Sequence, residues 1–116
     1  MNELASQVRT AIRLGYFEQA ESMIHAVAGW DRDPVWLNLL GVIHEARGEW
    51  KPALRCVGKA LRRDRQYAPA QQNIRRLYEL YTFGHSDVKM ALGDERPALA
   101  LLLRWRRGHR AASGIQ

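Results

Sequence analysis

The chain has 116 residues, a formal charge of +6 and 47% hydrophobic residues, enough for a packed interior in one compact domain or a short repeat array. Its single cysteine, Cys56, excludes an internal disulfide framework, and its longest apolar run, residues 98–103, is far too short to cross a bilayer. The helix formers Ala, Leu and Arg dominate, with Glu and Gln beside them, and no hairpin signal occurs, so the expected class is all-α.

Amphipathic spacing predicts a first helix over residues 2–14 and a second over 17–28. Residues 30–34 form a link in which Asp33 caps a third helix, over 34–47, with Pro34 in its first turn. Gly48 lies where that helix stops, at a position suited to left-handed backbone, and Pro52 opens a fourth helix over 51–63. A fifth covers 68–82, with Pro69 in its first turn. After Tyr81 the pattern breaks: residues 82–87 read as a turn capping a short segment 87–92, and Gly93-Asp94 as a second break. Pro97 then opens a closing helix over about 96–107, and residues 111–116 read as a frayed tail.

The chain repeats itself. Gly15-Tyr16-Phe17-Glu18-Gln19-Ala20 aligns with Gly48-Glu49-Trp50-Lys51-Pro52-Ala53, an offset of 33 residues. Met23, Ile24 and Val27 then match Cys56, Val57 and Ala60, and Ile74 and Tyr78 fall 34 residues after Leu40 and His44. Two antiparallel helices pack closely only if small residues meet at their crossing, and Gly41, Ala53 and Ala60 are the small residues here.

A period of 33–34 residues with Leu40-Gly41, His44, Ala53, Val57 and Ala60 at these offsets resembles the tetratricopeptide repeat (TPR). The match departs from the family pattern at Leu37, where Trp is usual, and at Arg65, where Pro is usual. The resemblance implies an α-solenoid of helix-turn-helix repeats with an irregular C-terminal helical cap. The whole would be one domain over 1–110, with repeats at about 1–33, 34–67 and, in part, 68–82.

The resemblance also implies a concave groove lined by the first helix of each repeat. The residues at its groove positions that can bind are Asn2, Arg9, Arg13, Asn38, Glu45, Gln72, Arg76 and Glu79. Carboxamides can hydrogen-bond the main chain of an extended peptide, and Arg can grip a carboxylate with two parallel bonds. The family's two-carboxylate clamp for a peptide C-terminus is not expected, because Ala5, Arg9, Pro69 and Asn73 replace its ligands. The function expected is a non-enzymatic scaffold or adaptor for a protein or peptide. The double change Asn38→Ala with Arg76→Ala is expected to weaken partner binding and leave the fold intact.

Two alternatives remain open. The chain forms a homo-oligomer, such as a homodimer, through its last helix, because two and a half repeats make a small core. Or the basic end, with Arg104, Trp105, Arg106, Arg107 and Arg110, holds a polyanion or nucleic acid by phosphate pairing and stacking.

Enzyme signals are weak. The four His form no i, i+4 pair, there is no Gly-rich phosphate loop, and neither a metal nor a cofactor is expected. His44 and Cys56 read as core or near-core residues. His85-Ser86-Asp87 holds triad letters, but adjacent residues do not make a triad's geometry. The first twenty residues lack the apolar core of a signal peptide, so the expected location is cytoplasmic, with no membrane span.

Overall fold

Five α-helices make up most of the computed structural model, which describes residues 3–95. They are α1 (Glu3–Arg13), α2 (Phe17–His25), α3 (Pro34–Ala46), α4 (Trp50–Arg63) and α5 (Ala68–Phe83). No strand occurs among the described residues, so the all-α expectation holds.

Local chemistry sets the helix ends. Gly15 and Gly48 stop α1 and α3 with left-handed backbone, at φ 85° and 77°. In each turn a later N–H reaches back to a terminal carbonyl: Tyr16 to Ala11 at 2.9 Å, Glu49 to His44 at 2.8 Å. Asp33 caps α3, its Oδ1 accepting the Val35 N–H at 2.9 Å, with Pro34 in the first turn. The second helix is three residues shorter than expected. It ends at His25, after which Gly29 turns left-handed and Trp30–Arg32 form a single 3₁₀ turn. The Trp30 ring then packs against His25, with centroids 4.8 Å apart.

Consecutive helices pack on one another, and the connections are short, which makes neighbours antiparallel. The third helix is the hub: every residue from Trp36 to Ile43 is buried. Trp36, Leu39, Leu40 and Ile43 join Val8, Ile12, Ala20 and Ile24 in one apolar cluster. Leu37 joins Ala53, Val57, Ala60, Ala70 and Leu77 in a second. Each fully buried branched side chain contributes about 1.5–3 kcal/mol.

Gly41 sits where α3 crosses α4. A Cβ there would lie 2.5 Å from Val57 Cγ2 and 3.3 Å from the Ala53 carbonyl oxygen. The helices approach that closely only because the side chain is absent. The helix-propensity cost of Gly, about 1 kcal/mol, is offset by the contact it permits. Besides these sequential contacts, α1 touches α3 and α3 touches α5 directly.

One element differs from expectation. The turn read over 82–87 begins later, because α5 runs on to Phe83; Ser86 caps the Val88 N–H, and residues 84–95 form no helix. Gly84, at φ 78°, ends α5, its N–H bonding the Leu80 carbonyl. The chain then runs extended. Ser86, Val88 and Met90 are half-buried, Asp87 and Lys89 exposed, and Ala91 and Leu92 buried. That is the two-residue alternation of an extended strand laid on a surface, without a strand partner. Leu92 enters the first apolar cluster. The closing helix read over 96–107 and the tail 111–116 lie outside the described residues.

Candidate functional site

Residues 86–95 lie on the face shared by α1, α3 and α5, and side chains of those helices hold their main chain. The segment doubles back along α5, crosses α3 and ends beside α1. At the α5 end, Ser86 donates to Glu79 Oε1 at 2.8 Å, and its hydroxyl accepts the Val88 N–H. Arg76 donates to the Val88 carbonyl at 2.7 Å, and Gln72 to the Lys89 carbonyl at 2.6 Å.

The centre is a two-asparagine clamp. Asn38 is 0% exposed and Asn73 1%. Both carboxamide nitrogens donate to the Ala91 carbonyl, at 3.0 and 2.7 Å. Asn73 Oδ1 accepts the Ala91 N–H at 2.8 Å, and Asn73 also donates to Asn38 Oδ1 at 2.8 Å. Two buried carboxamides therefore satisfy both main-chain groups of one residue and partly satisfy each other. Left unmade, these groups would each cost about 1–3 kcal/mol.

At the α1 end, the buried Arg9 donates Nε to the Leu92 carbonyl at 2.9 Å. Arg13 grips Asp94 with two bonds, at 2.6 and 2.7 Å, and reaches Glu95 at 3.3 Å. Glu95 in turn accepts the N–H groups of Leu92 and Gly93. Gly93 has φ 104°, and a Cβ on it would lie 2.8 Å from Tyr67 Oη and 3.0 Å from Arg9 Nη2. The left-handed conformation calls for glycine, and a larger residue would also have to displace the ends of the Tyr67 and Arg9 side chains. Burial pushes the Tyr67 phenol up, while Arg9 works the other way.

The positions expected for partner binding are thus largely engaged within the chain. Arg9, Arg13, Asn38, Gln72 and Arg76 hold residues 86–95. Glu45 accepts Arg76 Nε at 2.7 Å, and Glu79 accepts Arg75 at 3.2 Å as well as Ser86. The face on which the resemblance places an open groove is covered by the chain's own residues 86–95. The double change at Asn38 and Arg76 is corrected, since Asn38 is buried and its loss strands Asn73 and Ala91. Asn2, Arg104, Trp105, Arg106, Arg107 and Arg110 lie outside the described residues.

Asn73 is the residue that sequence reasoning missed. It matches no ligand position of the family clamp, and its one signal in the sequence is an amide at a helix position that otherwise faces the core. A basic side of α4 was also missed. Lys51, Arg55, Lys59, Arg62 and Arg63 are all exposed there, at helical spacing.

The hydrogen bonds from Arg13 hold the Asp94 carboxyl below its usual range, and those from Ser86 and Arg75 do the same for Glu79. A carboxyl whose pKa is lowered by folding contributes stability above its unfolded value, lost as pH falls through the folded one. Both carboxyls anchor residues 86–95. Acidification from pH 6 to below about 4 is therefore expected to loosen this segment before the helices melt. Amide exchange across 86–95, compared with that of α3 after correction for the intrinsic pH effect, checks this. Equal protection of the segment at pH 6 and pH 3 would contradict it.

Other chemistry-bearing residues make contacts within the helical core and its turns. His44 Nδ1 lies 2.6 Å from Glu49 Oε1 across the α3–α4 turn. Arg47 donates to Glu21 at 2.7 Å, which lowers the Glu21 carboxyl. Burial pushes the half-buried Cys56 thiol up, away from the thiolate. Among the described residues no cluster of His, Cys, Asp and Glu could hold a metal ion, and no helix is long and apolar enough to cross a membrane. Compared with known proteins, the chain matches no family model, no curated protein and no solved structure.

Proposed function

We propose that this protein is a non-enzymatic adaptor of TPR type. Its helices stack as a short solenoid, and the face of α1, α3 and α5 is a groove for an extended peptide segment. One observation carries the reading: that face already holds ten residues of extended chain, mostly through side chain to main chain bonds. Bonds of this kind recognise the shape of a backbone rather than a particular partner. The 33–34-residue offset and the close α3–α4 crossing at Gly41 support the solenoid part of the reading. The carboxamides, guanidinium groups and carboxylates of the face hold hydrogen bonds rather than a reaction centre.

The test is panning. A random linear-peptide library is presented to the full chain and to an Ala91→Arg/Gly93→Val variant, in which the self-segment no longer fits. The opened chain is expected to enrich a defined set of peptides that the native chain retains at least tenfold less well. If neither chain enriches any peptide, the groove is not a peptide site.

A further inference from the structure

Resting on the peptide-groove reading, we infer that residues 86–95 are a built-in copy of the ligand: the groove takes a partner segment with the pattern small–Leu–Gly–acidic, as in Ala91-Leu92-Gly93-Asp94.

Each position has its own physical cause. At the first, both main-chain groups are held between Asn38 and Asn73, and the residue is buried, so only a small side chain fits. At the second, the side chain enters the apolar cluster of α1, α2 and α3. At the third, left-handed backbone at φ 104° favours glycine, and the ends of the Tyr67 and Arg9 side chains lie close by. At the fourth, Arg13 meets a carboxylate with two parallel bonds. Upstream, Arg76 and Gln72 meet the segment at the carbonyls of Val88 and Lys89, so those two positions are read as backbone and are permissive in side chain.

The segment is also replaceable in principle. The helices touch one another without it, α1 meeting α3 and α3 meeting α5. Among the described residues it joins the helices covalently at one end only, through the left-handed turn at Gly84. A tethered segment competes at an effective concentration on the order of millimolar. For a self-segment of about ten micromolar intrinsic affinity, any partner peptide would then bind the native chain about a hundredfold more weakly than it binds an empty groove. The partner is accordingly a segment that exceeds the self-copy, by a better fit or by a second contact.

The experiment uses a labelled peptide of residues 86–95, Ser-Asp-Val-Lys-Met-Ala-Leu-Gly-Asp-Glu, added in trans to the full-length Ala91→Arg/Gly93→Val chain. Fluorescence anisotropy and far-UV circular dichroism are read together. If the opened chain stays helical, the peptide is expected to bind at least tenfold more tightly than to the native chain. Peptides with Gly93→Val or Asp94→Lys should lose at least tenfold. If the opened chain unfolds, restoration of its helicity by the peptide supports the inference. Unfolding that the peptide does not reverse overturns it, since the segment is then an inseparable part of the core. A helical opened chain that ignores this peptide but enriches library peptides of another pattern overturns the inference and leaves the groove reading standing. A helical opened chain that binds no peptide removes both.

Discussion

Asn73→Ala is expected to lower stability by about 3 kcal/mol, the loss of two to three buried hydrogen bonds whose partners have nowhere else to go. Asn73 is 1% exposed and serves three atoms: the Ala91 N–H, the Ala91 carbonyl and Asn38 Oδ1. The loss has a ceiling. If the stranded groups cost more than the docking of residues 86–95 is worth, the segment lifts off and water satisfies them. The observed cost is then the docking free energy itself. Either way the Ala91 amide loses its protection, and the melting point drops by roughly 10–15 °C for a chain of this size. The neighbouring Gln72→Ala, which removes one solvent-exposed bond to Lys89, should cost under about 1 kcal/mol. Thermal melts with amide exchange at Ala91 decide the matter. An Asn73→Ala chain that melts within two degrees, roughly, of the native one, with Ala91 still protected, would show that the clamp contributes nothing.

Gly41→Val should be at least as damaging. The first added carbon alone would sit 2.5 Å from Val57 Cγ2, well inside contact distance, and 3.3 Å from the Ala53 carbonyl oxygen. Val57 is 1% exposed and β-branched, so its rotation is restricted. The remaining response is to part α3 from α4, which opens the seam lined by Ala53, Val57 and Ala60. Overpacking of this kind costs about 1–3 kcal/mol for one or two methylenes, and three added carbons place the effect at or above the top of that range. Gly41→Ala is milder, because about 1 kcal/mol of helix propensity returns. Pairing Gly41→Ala with Val57→Ala removes the colliding methyl, so a double-mutant cycle should show favourable coupling of about 1 kcal/mol or more. Additive effects of the two changes would mean that the helices do not meet at this point.

Both changes touch residues of very different legibility. Gly41 could be read from the chain, since a glycine in a helix that is otherwise well formed needs a packing reason, and Ala53 and Ala60 supply the opposing small side chains. The helix ends at Gly15 and Gly48 and the Asp33 cap were legible for the same reason: each depends on residues within five positions of one another. Asn73 could be assigned to a helix, but nothing near it in the chain says what its carboxamide holds. Its partners are 18 and 35 positions away. The resemblance to the repeat family singles out Arg9, Arg13, Asn38, Gln72 and Arg76, yet a pattern of positions does not reveal that the chain itself occupies them.

Residues 84–95 make the point most directly. They carry no helical period, and their alternation is too short to be distinguished from a turn. Local reading therefore made a cap of Ser86-Asp87 and a short segment after it. Its internal bonds are confined to its two ends, at Ser86 and Glu95, and it has neither its own ladder nor a strand beside it. It is held by Arg9, Asn38, Gln72, Asn73 and Arg76, which come together only after three helices have packed. Short-range chemistry in the chain thus determined where the helices begin and stop, and which of their sides must be small or apolar. What those assembled helices do with their common face, and that the chain lays its own Ala91-Leu92-Gly93-Asp94 there, was decided by tertiary structure alone. The hydrogen bonds that do it span 12 to 83 positions, and no local propensity encodes a bond of that range.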